Sequence, residues 1–282
     1  MVLMLSACTP AIIPSPTLTA TNTVSPTSTA TPTSTLTPTP IPNGPCDNPL
    51  VPLAIGNQWT YRATTDSGEK TYTLQALERK DIGNIVTVVE FGDGEQSVQE
   101  QVVCLDGVIE DFPLFVMDML LSDYLNKLFN TYHDTGIYAP AYQTFAENNW
   151  MLNWGAIYLT EDVAYIKNPM GSSDLVVVQS SPMDLFFQMD GTREPVTVPA
   201  GDFPEALKVS HTFNLTVTIT LPTGGGAGGL LTLYTTQWYE PYVGLVRAQL
   251  DSASLQMGTQ EFNIPMQSTV ELIEFVSGNR GE

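Results

Sequence analysis

A chain of 282 residues has room for one large domain or two small ones, and 43% hydrophobic residues suffice for a core. A formal net charge of −20 and an isoelectric point near 4.1 argue against nucleic acid as a partner, because binding there rests on Lys and Arg neutralising phosphates. The same balance argues against electrostatic adhesion to an anionic bilayer and suits an acidic surface that keeps an extracytoplasmic protein soluble.

At the N-terminus, Leu5-Ser6-Ala7-Cys8 follows an apolar start and opens into a Pro/Thr/Ser tract. The motif resembles the lipobox of bacterial lipoproteins. That resemblance implies that Cys8 carries lipid, that residues 1–8 are residual signal peptide and lipobox, and that a basic, apolar extension lies upstream in frame. Residues 9–45 contain Thr, Pro and Ser without a single charge, too little apolar surface to offset ordering entropy. The prolines bias this stretch to polyproline II at roughly 3.1 Å per residue, a stalk reaching on the order of 100 Å. With Cys8 lipidated, Cys46 and Cys104 remain as an even pair in an oxidising compartment. Their disulfide would stabilise the domain by about 4 kcal/mol through loop entropy; the alternative is two free thiols.

Residues 46–282 read as one β-rich domain. Pro52 to Arg62 is a turn and then an alternating strand, with Trp59, Tyr61 and Ala63 on one face. Turns at Asp66-Ser67-Gly68, Asp81-Ile82-Gly83-Asn84 and Asp93-Gly94 separate return strands over Thr71–Leu77, Ile85–Phe91 and Val98–Cys104, an antiparallel meander. Leu114, Met117, Leu121, Leu125 and Leu128 recur at helical spacing and predict an amphipathic helix over Leu114–Phe129. An irregular, aromatic-rich insert (about 112–190) holds Tyr138, Tyr142, Phe145, Trp150 and Trp154, with strand-like runs at Leu175–Gln179 and Asp184–Gln188. From Glu205 to Leu221 the alternation is nearly unbroken, with Leu207, Val209, His211, Phe213, Leu215, Val217 and Ile219 on one face. Gly224 to Gly229 turns this strand into its partner, Leu230–Tyr239; strands at Gly244–Leu250 and Met266–Phe275 complete the chain. No apolar segment is long enough to span a bilayer as a helix.

Three phrases carry a wider resemblance: Pro52-Leu53-Ala54-Ile55-Gly56-Asn57-Gln58-Trp59-Thr60-Tyr61, Val198-Pro199-Ala200-Gly201-Asp202-Phe203 with Ala206-Leu207-Lys208-Val209, and Trp238-Tyr239-Glu240-Pro241-Tyr242-Val243-Gly244-Leu245-Val246-Arg247. Over about residues 50–276 the chain resembles uncharacterised bacterial envelope lipoproteins similar in element order to half-barrel carriers of the LolA/LolB type. The resemblance implies a curved antiparallel sheet around one helix, with an apolar mouth, and supplies no catalytic residue.

Chemistry has few candidates. There are two histidines; His211 lies on the apolar face of the long strand, where a core role outweighs a base. Asp134-Thr135-Gly136 has the aspartic-protease tripeptide without the apolar strand leading into it, and a turn is the better reading. The glycine run lacks the Lys and helix of a phosphate loop. Asp93, Glu95 and Asp106, or Asp184 and Asp190, lack calcium-loop spacing, and the Cys and His positions lack zinc spacing. No cofactor or metal is expected, and binding is favoured over catalysis. In one reading the concave face, with Leu207, Phe213 and Val217, encloses a lipid or acyl chain. In the other, Trp150, Trp154, Tyr138 and Tyr142 contact glycan or an envelope protein; a purely structural surface domain is the third. Whichever holds, the lipid on Cys8 that the lipobox resemblance implies would tie the protein to a membrane.

Overall fold

The structure, a computed structural model, describes residues 46–81, 85–123, 131–160, 164–167, 174–177, 182–220 and 226–278. Chain contacts divide the protein at Pro38/Thr39, and everything described belongs to the unit Thr39–Glu282. Cys8, the lipobox and the tract to Pro45 lie outside the described residues, as do Leu125 and Leu128 of the expected helix and Gly224 and Gly225 of the hairpin tip.

The expected meander is present as β1 (Gln58–Thr65), β2 (Gly68–Asp81), β3 (Ile85–Gly92) and β4 (Ser97–Leu105), extended by a short β5 (Val108–Asp111). Local chemistry sets its turns. Between β3 and β4 the Asp93 carboxylate accepts the backbone N–H groups of Glu95 and Gln96 at 3.1 and 3.0 Å. Helix α1 (Phe115–Leu120) follows. All six of its residues are buried, so it is core filling rather than the two-faced helix that the spacing suggests. The aromatic-rich insert is largely regular. It supplies β6 (Thr131–Gly136), α2 (Tyr142–Glu147) and β7 (Met151–Thr160), and β8 (Ala164–Lys167) pairs with β9 (Asp174–Val177) in a separate two-stranded sheet. Asp134-Thr135-Gly136 is therefore strand, not turn. The long strands are β10 (Met183–Val198), β11 (Gly201–Thr220), β12 (Gly226–Glu240) and β13 (Gly244–Met257), followed by β14 (Gln260–Ile264) and β15 (Ser268–Val276).

All the described ladders are antiparallel, in the order β5-β4-β3-β2-β1-β15-β13-β12-β11-β10-β7-β6, with β14 beside β13. β15 joins the two halves by pairing with β1 from Gln58↔Val276 to Thr65↔Ser268. The sheet is mainly β and curved, as expected, and it curls further than a half-barrel. Its end strands meet at an isolated bridge between Ile109 and Ala139. There the N–H groups of Ile109 and Ala139 donate to each other's carbonyls at 2.9 and 3.0 Å, and Tyr138 N–H donates to Ile109 O at 2.9 Å. The result is a nearly closed barrel whose two margins touch, among the described residues, at this one bridge.

Alternation fills the interior. Leu207, Val209, His211, Phe213, Leu215 and Val217 of β11 are buried, as are Met183, Leu185, Phe187 and Met189 of β10. A run of ring contacts crosses the inside: Tyr72 on Phe91, Phe91 on Phe115, Phe115 on Phe112, Phe112 on Tyr138, Tyr138 on Phe187, and Phe187 on Trp154, with centroids 4.3 to 5.7 Å apart. Aromatic rings at these separations contribute dispersion and quadrupole attraction beyond their burial.

Candidate functional site

One end of the barrel is covered by residues 46–53. Cys46 is joined to Cys104 of β4. Cys46 O accepts the N–H groups of Asn48 and Leu53 at 3.1 and 3.2 Å, folding the segment on itself. Asn48 is wholly buried and uses its whole side chain. Its Nδ2 donates to Gly107 O and Pro140 O at 2.9 and 2.7 Å, and its Oδ1 accepts from Leu50 and Val51 N–H at 2.9 and 3.3 Å. Gly107 precedes β5 and Pro140 follows the Ala139 bridge, so this one amide clasps both margins of the seam that closes the barrel. At Gly244 (φ 96°) a Cβ would lie 3.2 Å from Pro52 Cδ, so a glycine there lets the segment lie close to the β12–β13 turn.

Beneath this cover lies an apolar cavity of about 40 Å³. Leu50, Val51, Leu53, Phe115, Met119 and Leu245 are among its walls, together with the tyrosines Tyr61, Tyr138 and Tyr239. It has room for about one or two water molecules, far below the roughly 300–1,000 Å³ of a small-molecule pocket. Its tyrosines belong to a polar chain inside the barrel. Tyr61 donates to Leu245 O at 3.2 Å, and Tyr239 donates to Gln237 Oε1 at 2.6 Å while hydrogen-bonded to Tyr138. Gln237 Nε2 in turn faces His211 Nδ1 at 3.4 Å and Thr235 Oγ1 at 3.2 Å. Burial raises all three phenols above their ordinary range. It pushes His211 down to about 3, so the imidazole is neutral. His211 Nδ1 also lies 3.2 Å from Thr235 Oγ1, and its Nε2 has no partner among the described residues. The neutral imidazole is stacked 4.4 Å from Phe187 in the core.

Acidic groups gather near α1. Asp118 is buried, its Oδ1 has no partner among the described residues, and burial, helped by Glu100, pushes its carboxyl up to about 8. Burial raises Asp111 to about 6, against the pull of His133, and raises Glu100. Among the described residues, no three His, Cys, Asp or Glu side chains gather to hold a metal.

The candidate ligand residues fall into two groups. Leu207, Phe213 and Val217 are packed in the core at 0, 1 and 3% exposure, away from the cavity walls. Of the aromatic set, Tyr138 and Trp154 are also buried, Trp154 donating to Tyr138 O at 2.8 Å. Trp150 is half-buried, stacked 5.2 Å from Phe145 beneath the Arg193 guanidinium. Only Tyr142 of that set is exposed. The alternation reading overlooked the outward rings Phe186 and Tyr234, each 47% exposed on β10 and β12. Their signal was present: both occupy polar-face positions of otherwise alternating strands. Asn48 and Asp118 were also overlooked.

The sequence matches no family model and no curated protein. In structure the chain is similar to a candidate exported protein with a YmcC-like fold from Bacteroides fragilis, 18% identical over 79% of this chain and 97% of that one, with a TM-score of 0.45. It is also similar to a candidate lipoprotein from Parabacteroides distasonis, 16% identical over 81% and 99% of the two chains, with a TM-score of 0.46.

Proposed function

We propose that this protein is a lipid-anchored, extracytoplasmic binding domain that engages its partner on the outside of the barrel, without catalysis. The observation that carries the reading is the filled interior: the concave-face side chains Leu207, Phe213 and Val217 pack in the core, and the cavity beneath residues 46–53 holds about 40 Å³. The Leu5-Ser6-Ala7-Cys8 motif and the charge-free tract behind it support an anchor and stalk, and the Cys46–Cys104 bridge suits an oxidising compartment.

Carriage of a lipid, as in the LolA/LolB type, is the second reading, favoured by the apolar cavity walls. It requires Leu50 to Leu53 to leave their buried positions. Native mass spectrometry of the protein purified without detergent separates the two. The surface reading expects no noncovalent mass. Added mass that extracts into organic solvent and matches a lipid, beyond any acyl group on Cys8, would favour the carrier.

A further inference from the structure

Resting on the surface reading, we infer that the outer face of β10 to β13 is a binding face for a neutral, β-linked polysaccharide chain, with Phe186 and Tyr234 as its stacking rings. The ladder register places Phe186 opposite Thr212 and Thr212 opposite Tyr234. The two rings therefore stand two strand spacings apart, about 10 Å, with only a threonine between them. That is the separation of every second ring in a β-1,4-linked pyranose chain laid across the strands. Phe186 is also paired with Gly155 of β7, which has no side chain to cover the ring on that side. Both aromatics are half-exposed, as a platform for the apolar faces of sugars needs, and the bulge between Tyr234 and Thr235 lies in the β12–β13 ladder, on the side of Tyr234 away from Phe186.

The rows on either side supply hydrogen-bonding groups, uncharged apart from the carboxylates at their margins. On one side, the Asp184 carboxylate, Asn214 and Thr232 share a row that ends at the buried Ser254. Thr232 Oγ1 donates to Asn214 Oδ1 at 2.9 Å, which orients the Asn214 amide and leaves its NH₂ to donate elsewhere. On the other, Gln188, Ser210, Thr236 and Gln249 share a row, and Thr236 donates to the exposed Asp251 at 2.7 Å. These three rows contain no Lys or Arg. The cations of the next row are engaged: Lys208 pairs with Glu194 at 2.9 Å, and Arg247 lies over the Trp238 ring at 5.3 Å. A face with carboxylates and no free cation, on a chain of net charge −20, disfavours an anionic polymer. Hydroxyls, amides and rings together fit an uncharged, hydroxyl-rich chain.

The test is depletion of the purified protein by insoluble chitin and by cellulose at high salt, read as bound fraction against polymer concentration. The parent protein is expected to bind at least one polymer, with affinity falling about tenfold for F186A or Y234A and further for the pair. Both side chains are exposed, so the unfolding curve of each variant should match the parent's. Y132A and Y142A, which remove exposed rings on other elements, should bind as the parent does. Failure of both polymers to retain the protein overturns the proposal. Equal binding by the parent and F186A/Y234A also overturns it, while a loss in Y132A or Y142A would move the site elsewhere on the surface. A lipid copurifying in the interior would instead defeat the surface reading itself.

Discussion

Replacing Asn48 with alanine lowers the unfolding free energy by about 3–4 kcal/mol in urea titrations, although the change removes only a small polar group. The size follows from what is stranded. Two carbonyls, Gly107 O and Pro140 O, and two N–H groups, those of Leu50 and Val51, lose their partner, all but the part-buried Gly107 O in buried surroundings. Each buried group left unsatisfied costs about 1–3 kcal/mol, with partial relaxation reducing the sum. N48D keeps the shape but turns an oxygen toward two carbonyl oxygens, so it should be no better than alanine. A cost below about 1 kcal/mol for both variants would mean that the seam does not depend on this side chain.

The second large effect has the opposite sign. Asp118→Asn stabilises the protein at pH 8, by about 2–4 kcal/mol, and leaves it unchanged near pH 4. In the folded state the Asp118 carboxyl holds its proton up to about pH 8, whereas in the unfolded chain it releases it near pH 4. Between those values the native state binds more protons, so stability falls as pH rises through the window and levels off above it. Asn mimics the neutral acid and removes that slope. Asp111, raised to about 6, adds a smaller slope of the same sign between about pH 4 and 6. His211 works the other way: depressed to about 3 in the fold, it stays neutral while the unfolded chain protonates, so its contribution is lost as pH falls below about 6.5. Chemical denaturation of parent and D118N at pH 4 to 8.5 measures the window. A difference between them that does not change with pH would contradict a carboxyl held protonated by its burial.

The strands that the sequence revealed are those in which only one face is apolar. β11 alternates over its length because its outer face is Ser, Thr and Asn, and the meander from β1 to β4 is punctuated by Asp-Gly and Asp-Ser turns. β7 was hidden because its outward positions are Gly155, Ile157 and Leu159, so the period of two is lost although Trp154, Ala156 and Tyr158 all point in. β5 is four residues long, too short for periodicity. Helical spacing identified α1 but not its burial on every side, because a moment cannot distinguish a surface helix from one enclosed by a barrel. The candidate site was less legible. Aromatic content suggested contact residues, but only the fold decides that Trp154 points in and Phe186 points out. Asn48 owes its role to two N–H groups of its own turn and to two carbonyls from distant segments, and no local pattern encodes the latter. Asp118 could have been singled out, as one acid inside Phe115-Val116-Met117-Asp118-Met119-Leu120.

Closure of the sheet separates a filled barrel that works from its surface from an open half-barrel with a mouth. Amide hydrogen exchange at Ile109, Tyr138 and Ala139, whose N–H groups form the seam, measures it directly. A closed barrel protects these three amides to nearly the level of those in the centres of β11 and β12. Exchange at the rate of exposed turns, with those central amides still protected, would show that the seam stands open and that the interior is reachable by a ligand.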